Sequence, residues 1–448
     1  MSDADNTPKP DDAEIDAEGE SLEASPFTPP PPVERALRMT MTPGNTQALA
    51  LDTALEPLLF TLQTTGSPAG AANHIAGSRL PINLALVIDC SGSMGGEPLA
   101  YAKKACALVV DLLEPTDKLT IISFAETAEV LMPARRLANK PHIKDVIYGL
   151  SARSTTNLYD GMLAAFNQLG AAKTEHSVNR LLLLTDGEPS AGTRDFGSIL
   201  GQVAEQRSRG IGVSAIGLGG DYNDEFISGL ARRSGGSFTH VERPEEIPAA
   251  FEAEIERLSR IVARQVRLRL TLPSGVSVRQ VHGRQPVFGN RTAEVVLDDI
   301  ESGSSLLSLW EMETSPRPMG AYRLARAELL YEDGATGRSE RLSEDLTTRF
   351  VGGRDAVAET SDTSVGAVTD WWRSIRDLDK TMMELRKQGM PQETLEAALG
   401  AVEAKANWHG RGEAAARIAK ARTAIFAGGA SEKLLMDTVF NLDQVRLS

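Results

Sequence analysis

Five oxygen-bearing side chains from three separated segments carry the chemistry that this sequence offers. Asp89, Ser91 and Ser93 form a D-x-S-x-S pattern directly after the apolar run INLALVID. Thr156 lies in ARSTTNLYDG, just ahead of a helical stretch, and Asp186 lies in LLLLTDGEP. Every donor is a hard oxygen, with no thiolate or imidazole among them. Such a set suits Mg²⁺ or Mn²⁺ in octahedral geometry, with waters completing the shell. Two carboxylates bring an ion close to neutrality only when both coordinate it directly. Where they act through water the ion keeps Lewis acidity, and it can take a carboxylate from another protein as its sixth ligand.

The elements around these segments explain why they would meet. INLALVID has no polar face, so it reads as a strand buried on both sides. KLTIISFA, NRLLLLTDG and GIGVSAIGLG read the same way. Between them, EPLAYAKKACALVVDLLEP, Asn157–Leu169, Asp195–Arg209 and Asp224–Arg233 have helical periodicity. Strands alternating with helices imply βαβ units and a mostly parallel sheet. In such a sheet ligands bind beyond the carboxyl ends of the strands, at the switch point, which is where Asp89 and Asp186 fall.

These motifs, taken as a set, resemble the von Willebrand factor type A (vWA) family and its metal-ion-dependent adhesion site, in the bacterial intracellular type. SGSMGGEPLAYAKKA, DKLTIISFAETAEV and GLGGDYNDEFISGLARRSGGSF extend the resemblance over residues 80–258. The resemblance implies a Rossmann-like parallel sheet with helices on both faces. It implies that Ser91 and Ser93 bind the ion directly, that Thr156 binds it directly or through water, and that Asp89 and Asp186 hold waters or the ion. The cofactor implied is Mg²⁺, with Mn²⁺ or Ca²⁺ as alternatives. The function implied is capture of an Asp or Glu of a protein partner within an intracellular assembly, such as one built on an AAA+ ATPase or a kinase. It also implies that the last helix, Glu245–Arg257, shifts on ligand binding and could tilt whatever follows it.

Other readings are weaker. A Mg-dependent phosphotransferase of the haloacid-dehalogenase kind needs a second Asp two residues after Asp89, where Ser91 stands. A hydrolase elbow G-x-S-x-G fails at both serines, and no Walker A sequence is present. A purely structural scaffold remains as the third reading. The expectation is a binding protein and not an enzyme.

The flanks have their own patterns. Residues 1–35 are read as a disordered acidic, Pro-rich tail, since residues 1–30 hold nine acids and one base and few apolar groups to offset ordering entropy. Residues 36–66 show short alternating runs broken by Pro43-Gly44-Asn45, and Gly66–Arg79 reads as a linker. Residues 259–352 alternate with period two, as antiparallel strands do. The two flanks are expected to form one β-sandwich, with the vWA domain inserted in it or followed by it. Residues 365–448 read as a C-terminal helical bundle. Its apolar stripes are Trp371, Trp372, Ile375, Leu378, Met382, Met383 and Leu385, then Leu434, Leu435, Val439, Phe440 and Leu442. These stripes are expected to pack on one another or to form an oligomer seam.

Composition bounds the partners. The 448 residues carry 47 Lys and Arg against 61 Asp and Glu, a net charge of −14. That argues against nucleic acid and against an anionic membrane surface. No run of about 18 apolar residues suggests a membrane span. Two cysteines, Cys90 and Cys106, exclude a disulfide scaffold and a four-thiolate zinc site. With no secretory signal at the N-terminus, the cytoplasm is the expected compartment.

Overall fold

A computed structural model describes residues 35–65, 79–174, 176–334, 336–388, 392–409, 411–426 and 446–447. The acidic segment before Arg35, the linker 66–78 and the stripe at 434–442 lie outside the described residues, as do the side chains of Met383 and Leu385.

The chain begins with β1 (Leu37–Pro43), β2 (Gln47–Leu49) and β3 (Ala54–Thr64). β1 and β3 form an antiparallel pair, Met39 opposite Leu62. Alternation in β3 sends Leu58, Phe60 and Leu62 to one core and Leu59 to another.

An α/β layer structure follows. Its elements are β4 (Ile82–Asp89), α1 (Glu97–Leu112), β5 (Lys118–Phe124), β6 (Ala128–Arg136), α2 (Lys140–Tyr148), α3 (Leu158–Ala172), β7 (Val178–Gly187), α4 (Phe196–Ser208), β8 (Ile211–Asp221), α5 (Asp224–Ser234), β9 (Phe238–Val241) and α6 (Ile247–Ser259). The sheet order is β6-β5-β4-β7-β8-β9, parallel throughout except at the edge pair β5–β6. β4 is buried along its whole length. Ile82, Leu84, Leu86 and Ile88 pack under α1, α2 and α6, while Ala85 and Val87 pack under α3, α4 and α5. Asn or Asp side chains cap α2, α3, α4 and α5 by accepting a backbone N–H three residues on. β6 and α2 go beyond the sequence reading. β6 is a mostly exposed edge strand containing Pro133, and α2 buries only Ile143 and Ile147, so neither has a strong apolar period.

The chain then returns to β structure: β10 (Ile261–Thr271), β11 (Val276–Val281), β12 (Val287–Gly289), β13 (Thr292–Val296), β14 (Ile300–Glu301), β15 (Ser305–Thr314), β16 (Gly320–Asp333) and β17 (Ser339–Val351). Two sheets result, one in the order β1-β3-β15-β11 and the other β12-β13-β10-β16-β17-β2, with β14 beside β10. β3 pairs with β15 over ten positions, Leu58 opposite Trp310, and β2 runs parallel to β17. Strands from before and after the α/β layer therefore share both sheets, and their inner faces close one core around Phe60, Trp310, Leu268 and Phe350. The α/β unit is an insertion in this sandwich.

Helices α7 (Arg354–Ala358), α8 (Thr363–Gln388), α9 (Gln392–Trp408) and α10 (Gly412–Phe426) complete the fold. Trp371, Trp372, Ile375, Leu378 and Met382 of α8 pack on Leu59, Leu307 and Leu309, the outward face of the β3–β15 pair, and on Leu399, Val402 and Ile418 of the next two helices. This stripe is thus covered by the chain's own sheet. Arg446–Leu447, expected to continue a helix, instead form a short strand β18 against Ser305 and Leu306 of β15. The reason is an open stretch of edge: β11 pairs with β15 only from Trp310 to Thr314, leaving backbone groups that a strand can satisfy. No helix among the described residues is long and apolar enough to cross a membrane.

One core-facing position of β3 carries a carboxylate. Glu56 shares the inward face of β3, is 6% exposed, and accepts a hydrogen bond from Asn45 Nδ2 at 3.1 Å. Burial pushes its carboxyl up to about 7, against the pull of that hydrogen bond. The folded state thus binds this proton more tightly than the unfolded chain. Stability is greatest below the unfolded value and falls as pH rises through about 7. Replacing Glu56 with Gln is expected to remove this slope and to stabilise the protein at pH 8 by roughly 1–3 kcal/mol. Urea unfolding at pH 5 and pH 8 reads the difference, and an unchanged slope in the variant would contradict it.

Candidate metal centre

Register places the first two groups. Ile88 lies opposite Leu184 on the parallel strand β7, so Asp89 comes next to Thr185. Both continue the face that carries Val87 and Leu183, and so both point to the same side of the sheet. Thr185 Oγ1 donates to Asp89 Oδ2 at 2.6 Å. The backbone N–H of Ser91 donates to Asp89 Oδ1 at 2.8 Å. Asp89 itself is fully buried. Burial raises its carboxyl to about 6, Thr185 and Ser91 pull the other way, and the nearby charge of Asp186 adds to the rise.

After Asp89 the chain makes a single 3₁₀ turn over Gly92–Met94, anchored by the buried Met94. This turn lifts the serines over the sheet edge. Ser91 Oγ lies 3.1 Å from Ser93 Oγ, and Ser93 Oγ donates to Asp186 Oδ1 at 2.8 Å. Asp186 is half-buried. Its carboxyl is held above the ordinary range by burial and by repulsion from Asp221, partly offset by Ser93. Four of the five expected residues are therefore linked through hydrogen bonds.

Thr156 joins them through its backbone. Its N–H donates to Ser190 Oγ at 2.9 Å, and its carbonyl accepts from Ser190 and Ala191. Ser154 O accepts from Gly92, and Cys90 O accepts from Arg153. The loop 153–157 is thereby clamped between the turn after β4 and the loop after β7. The Thr156 hydroxyl makes no hydrogen bond to the other four side chains. Next to it, Asn157 caps α3 and donates to Glu126 O at 3.3 Å. Gly192 must be glycine here: its φ is +70°, and a Cβ would sit 2.1 Å from Asn157 Oδ1.

Three contributors were not among the expected ligands. Thr185 orients Asp89, and its place one residue before Asp186 on a buried strand is the signal that could have found it. Ser190 ties two loops together and has no such signal. Asp221 ends β8 beside Gly187, at the carboxyl end of the adjoining strand. Cys90 is fully buried, and burial pushes its thiol up to about 12, so it is an inert apolar residue at neutral pH.

The chemistry of the donors fits a hard divalent cation. Neither Asp89 nor Asp186 forms an ion pair with a Lys or Arg among the described residues, so their charge is uncompensated. No cluster of three or more His, Cys, Asp or Glu side chains suited to a metal exists among the described residues. An ion here would rest on two carboxylates plus hydroxyls, a set that favours Mg²⁺-like ions over zinc.

The von Willebrand factor type A domain model matches residues 83–253. Residues 83–253 are a von Willebrand factor type A domain. An uncharacterized Synechocystis protein is 29% identical over 278 residues, which span 60% of this chain and 66% of that protein, just under two thirds of its length. Among solved structures, a von Willebrand factor type A protein from Catenulispora acidiphila aligns with a TM-score of 0.69 at 16% identity, covering 87% of this chain and 91% of that one. VWA2, a paralog of ArnB from Sulfolobus acidocaldarius, aligns with a TM-score of 0.64 at 16% identity, covering 91% and 98%. At these identities the likeness is one of fold. Because it extends over most of both chains, it takes in the sandwich and helices as well as the vWA domain.

The uncompensated charge gives a test that needs no metal. Changing Asp186 to Asn keeps an acceptor for Ser93 and removes one charge from the pair. In EDTA the variant is expected to melt at a higher temperature than the parent. A lower melting temperature would show that Asp186 serves the fold.

Proposed function

We propose that this protein is a divalent-metal-dependent protein-binding module. Ser91, Ser93 and Thr156 would hold the ion through their hydroxyls, with Asp89 and Asp186 as direct or water-bridged carboxylates. When bound, Mg²⁺ would supply Lewis acidity toward an Asp or Glu side chain of a partner. The observation that carries this reading is the pair of desolvated carboxylates, linked by hydroxyls and left without a cationic side chain. The protein's own contribution is orientation. Thr185 and the Ser91 N–H fix Asp89, the 3₁₀ turn presents the two serines, and the clamped loop 153–157 sets Thr156 in place. These supports match the way outer groups fix ligands at metal sites.

The partner is read as a protein in a cytoplasmic assembly, of the AAA+ ATPase or kinase-linked kind that the family resemblance suggests. The two buried, unpaired cysteines support a reducing compartment.

Calorimetric titration with Mg²⁺ and Mn²⁺ is expected to show a single site in the parent. Asp89→Ala should abolish it, and Thr185→Val should weaken it by about 10- to 100-fold, with far-ultraviolet dichroism unchanged. Affinity purification with Mg²⁺ should recover a partner that EDTA releases. Metal binding unaffected by Asp89→Ala, or the same partner recovered in EDTA, would defeat the reading. Ester hydrolysis lost in Asp89→Asn would favour a phosphotransferase instead.

A further inference from the structure

Away from the metal centre, a cleft of about 700 Å³ opens where the vWA domain, the sandwich and α8 meet. That volume lies within the roughly 300–1,000 Å³ of small-molecule sites. Its walls carry five arginines: Arg207 on α4, Arg232 and Arg233 at the end of α5, Arg284 after β11, and Arg376 on α8. Arg207 and Arg284 share Asp298. Arg233 and Arg376 form no ion pair among the described residues, and Asp379 is the one carboxylate in the lining. The cleft therefore holds net positive charge in a protein whose total is −14.

An aromatic side chain also borders the cleft: Trp372 lines it and is 5% exposed. The lining also includes Pro286 and Val287, with Val287 71% exposed. The cleft thus pairs guanidinium forks, which match phosphate geometry, with exposed apolar surface at Val287.

We propose that this cleft binds a nucleoside polyphosphate, with its phosphates against Arg233 and Arg376 and its base against Pro286 and Val287. The site is separate from the metal centre. Phosphate binding here draws on the arginines and needs no divalent ion.

Calorimetry on the full chain in EDTA, with ATP and with inorganic tripolyphosphate, tests this. EDTA silences the metal centre, so the result does not depend on the function proposed for it. Both probes are expected to bind, ATP more tightly, and Trp372 fluorescence should change with either. Arg233 and Arg376 are exposed, so the double variant Arg233→Glu/Arg376→Glu should keep its melting temperature. It should bind both probes at least about tenfold more weakly. Val287→Ser should weaken ATP and leave tripolyphosphate unchanged. The proposal falls if neither probe binds at about 1 mM, or if the double variant binds both as the parent does. It falls equally if a Glu-rich peptide binds more tightly than ATP, which would make the cleft a peptide site.

Discussion

Two negative charges placed together without a counter-charge set the terms for the rest of this molecule. Asp89 and Asp186 lie at neighbouring strand ends, one fully buried and one half-buried, and each raises the other's cost of ionisation or meets a further acid. Burying a carboxylate is expensive unless it is paired. Three other deeply buried acids are paired with arginine. Asp117 is held by Arg79, Asp298 by Arg207 and Arg284, and Glu254 by Arg257. For Glu254, burial alone would raise the carboxyl, yet Arg257 and Arg180 bring it down to about 2. The contrast is local and chemical: arginine beside these three acids, hydroxyls beside the two that line the crevice. Stability given up at one place in this way is what a ligand site requires.

The sheet explains why the exception falls where it does. β4 sits at the centre, with β5 on one side and β7 on the other. The connection after β4 runs to β5 and that after β7 runs to β8, so the loops at the two carboxyl ends part and leave a crevice. Strand alternation then sends Asp89 and Thr185 to the same face. A shift of one residue in register would turn Asp89 toward the core under α1 and dismantle the site. The four unbroken leucines of β7, all buried, hold that register from both faces of the sheet.

This much was legible in the residues themselves. Apolar runs of strand length marked β4, β5, β7 and β8, and the polar residues after them marked the crevice. Period-two segments on either side marked the sandwich, and of the two arrangements read from them, an α/β sheet inserted in the sandwich or followed by it, the inserted one is observed. What was not legible has physical causes. β6 and α2 bury too little to leave a period. The pairing of Arg446–Leu447 with β15 depends on an open sheet edge that no local pattern encodes. The role of Ser190 is a contact between loops distant in sequence, and the basic cleft draws its arginines from four separate elements. Site residues on strand ends can be read from sequence because the strand positions them. Residues that meet only through tertiary packing cannot.

The junction between the vWA domain and the sandwich bears on how the metal centre could act. Only Arg260 separates α6 from β10, so a displacement of α6 would pull directly on the sandwich. The contact is not a greasy hinge. Arg180, 1% exposed, reaches Asp299 at 3.1 Å. Arg257 lies 3.7 Å from Glu301, Arg207 also donates to the carbonyls of Val296 and Leu297, and Arg264 pairs with Glu332 while donating to Ser177 O. Separating one such buried pair leaves a desolvated charge, at roughly 3–5 kcal/mol. A rigid rotation would have to part several together, more than the 1–3 kcal/mol that typically couples two sites. The polar junction therefore favours a vWA domain fixed on the sandwich, presenting its crevice as a rigid surface. Any ligand-linked movement would be confined to the loops that carry Ser91, Ser93 and Thr156.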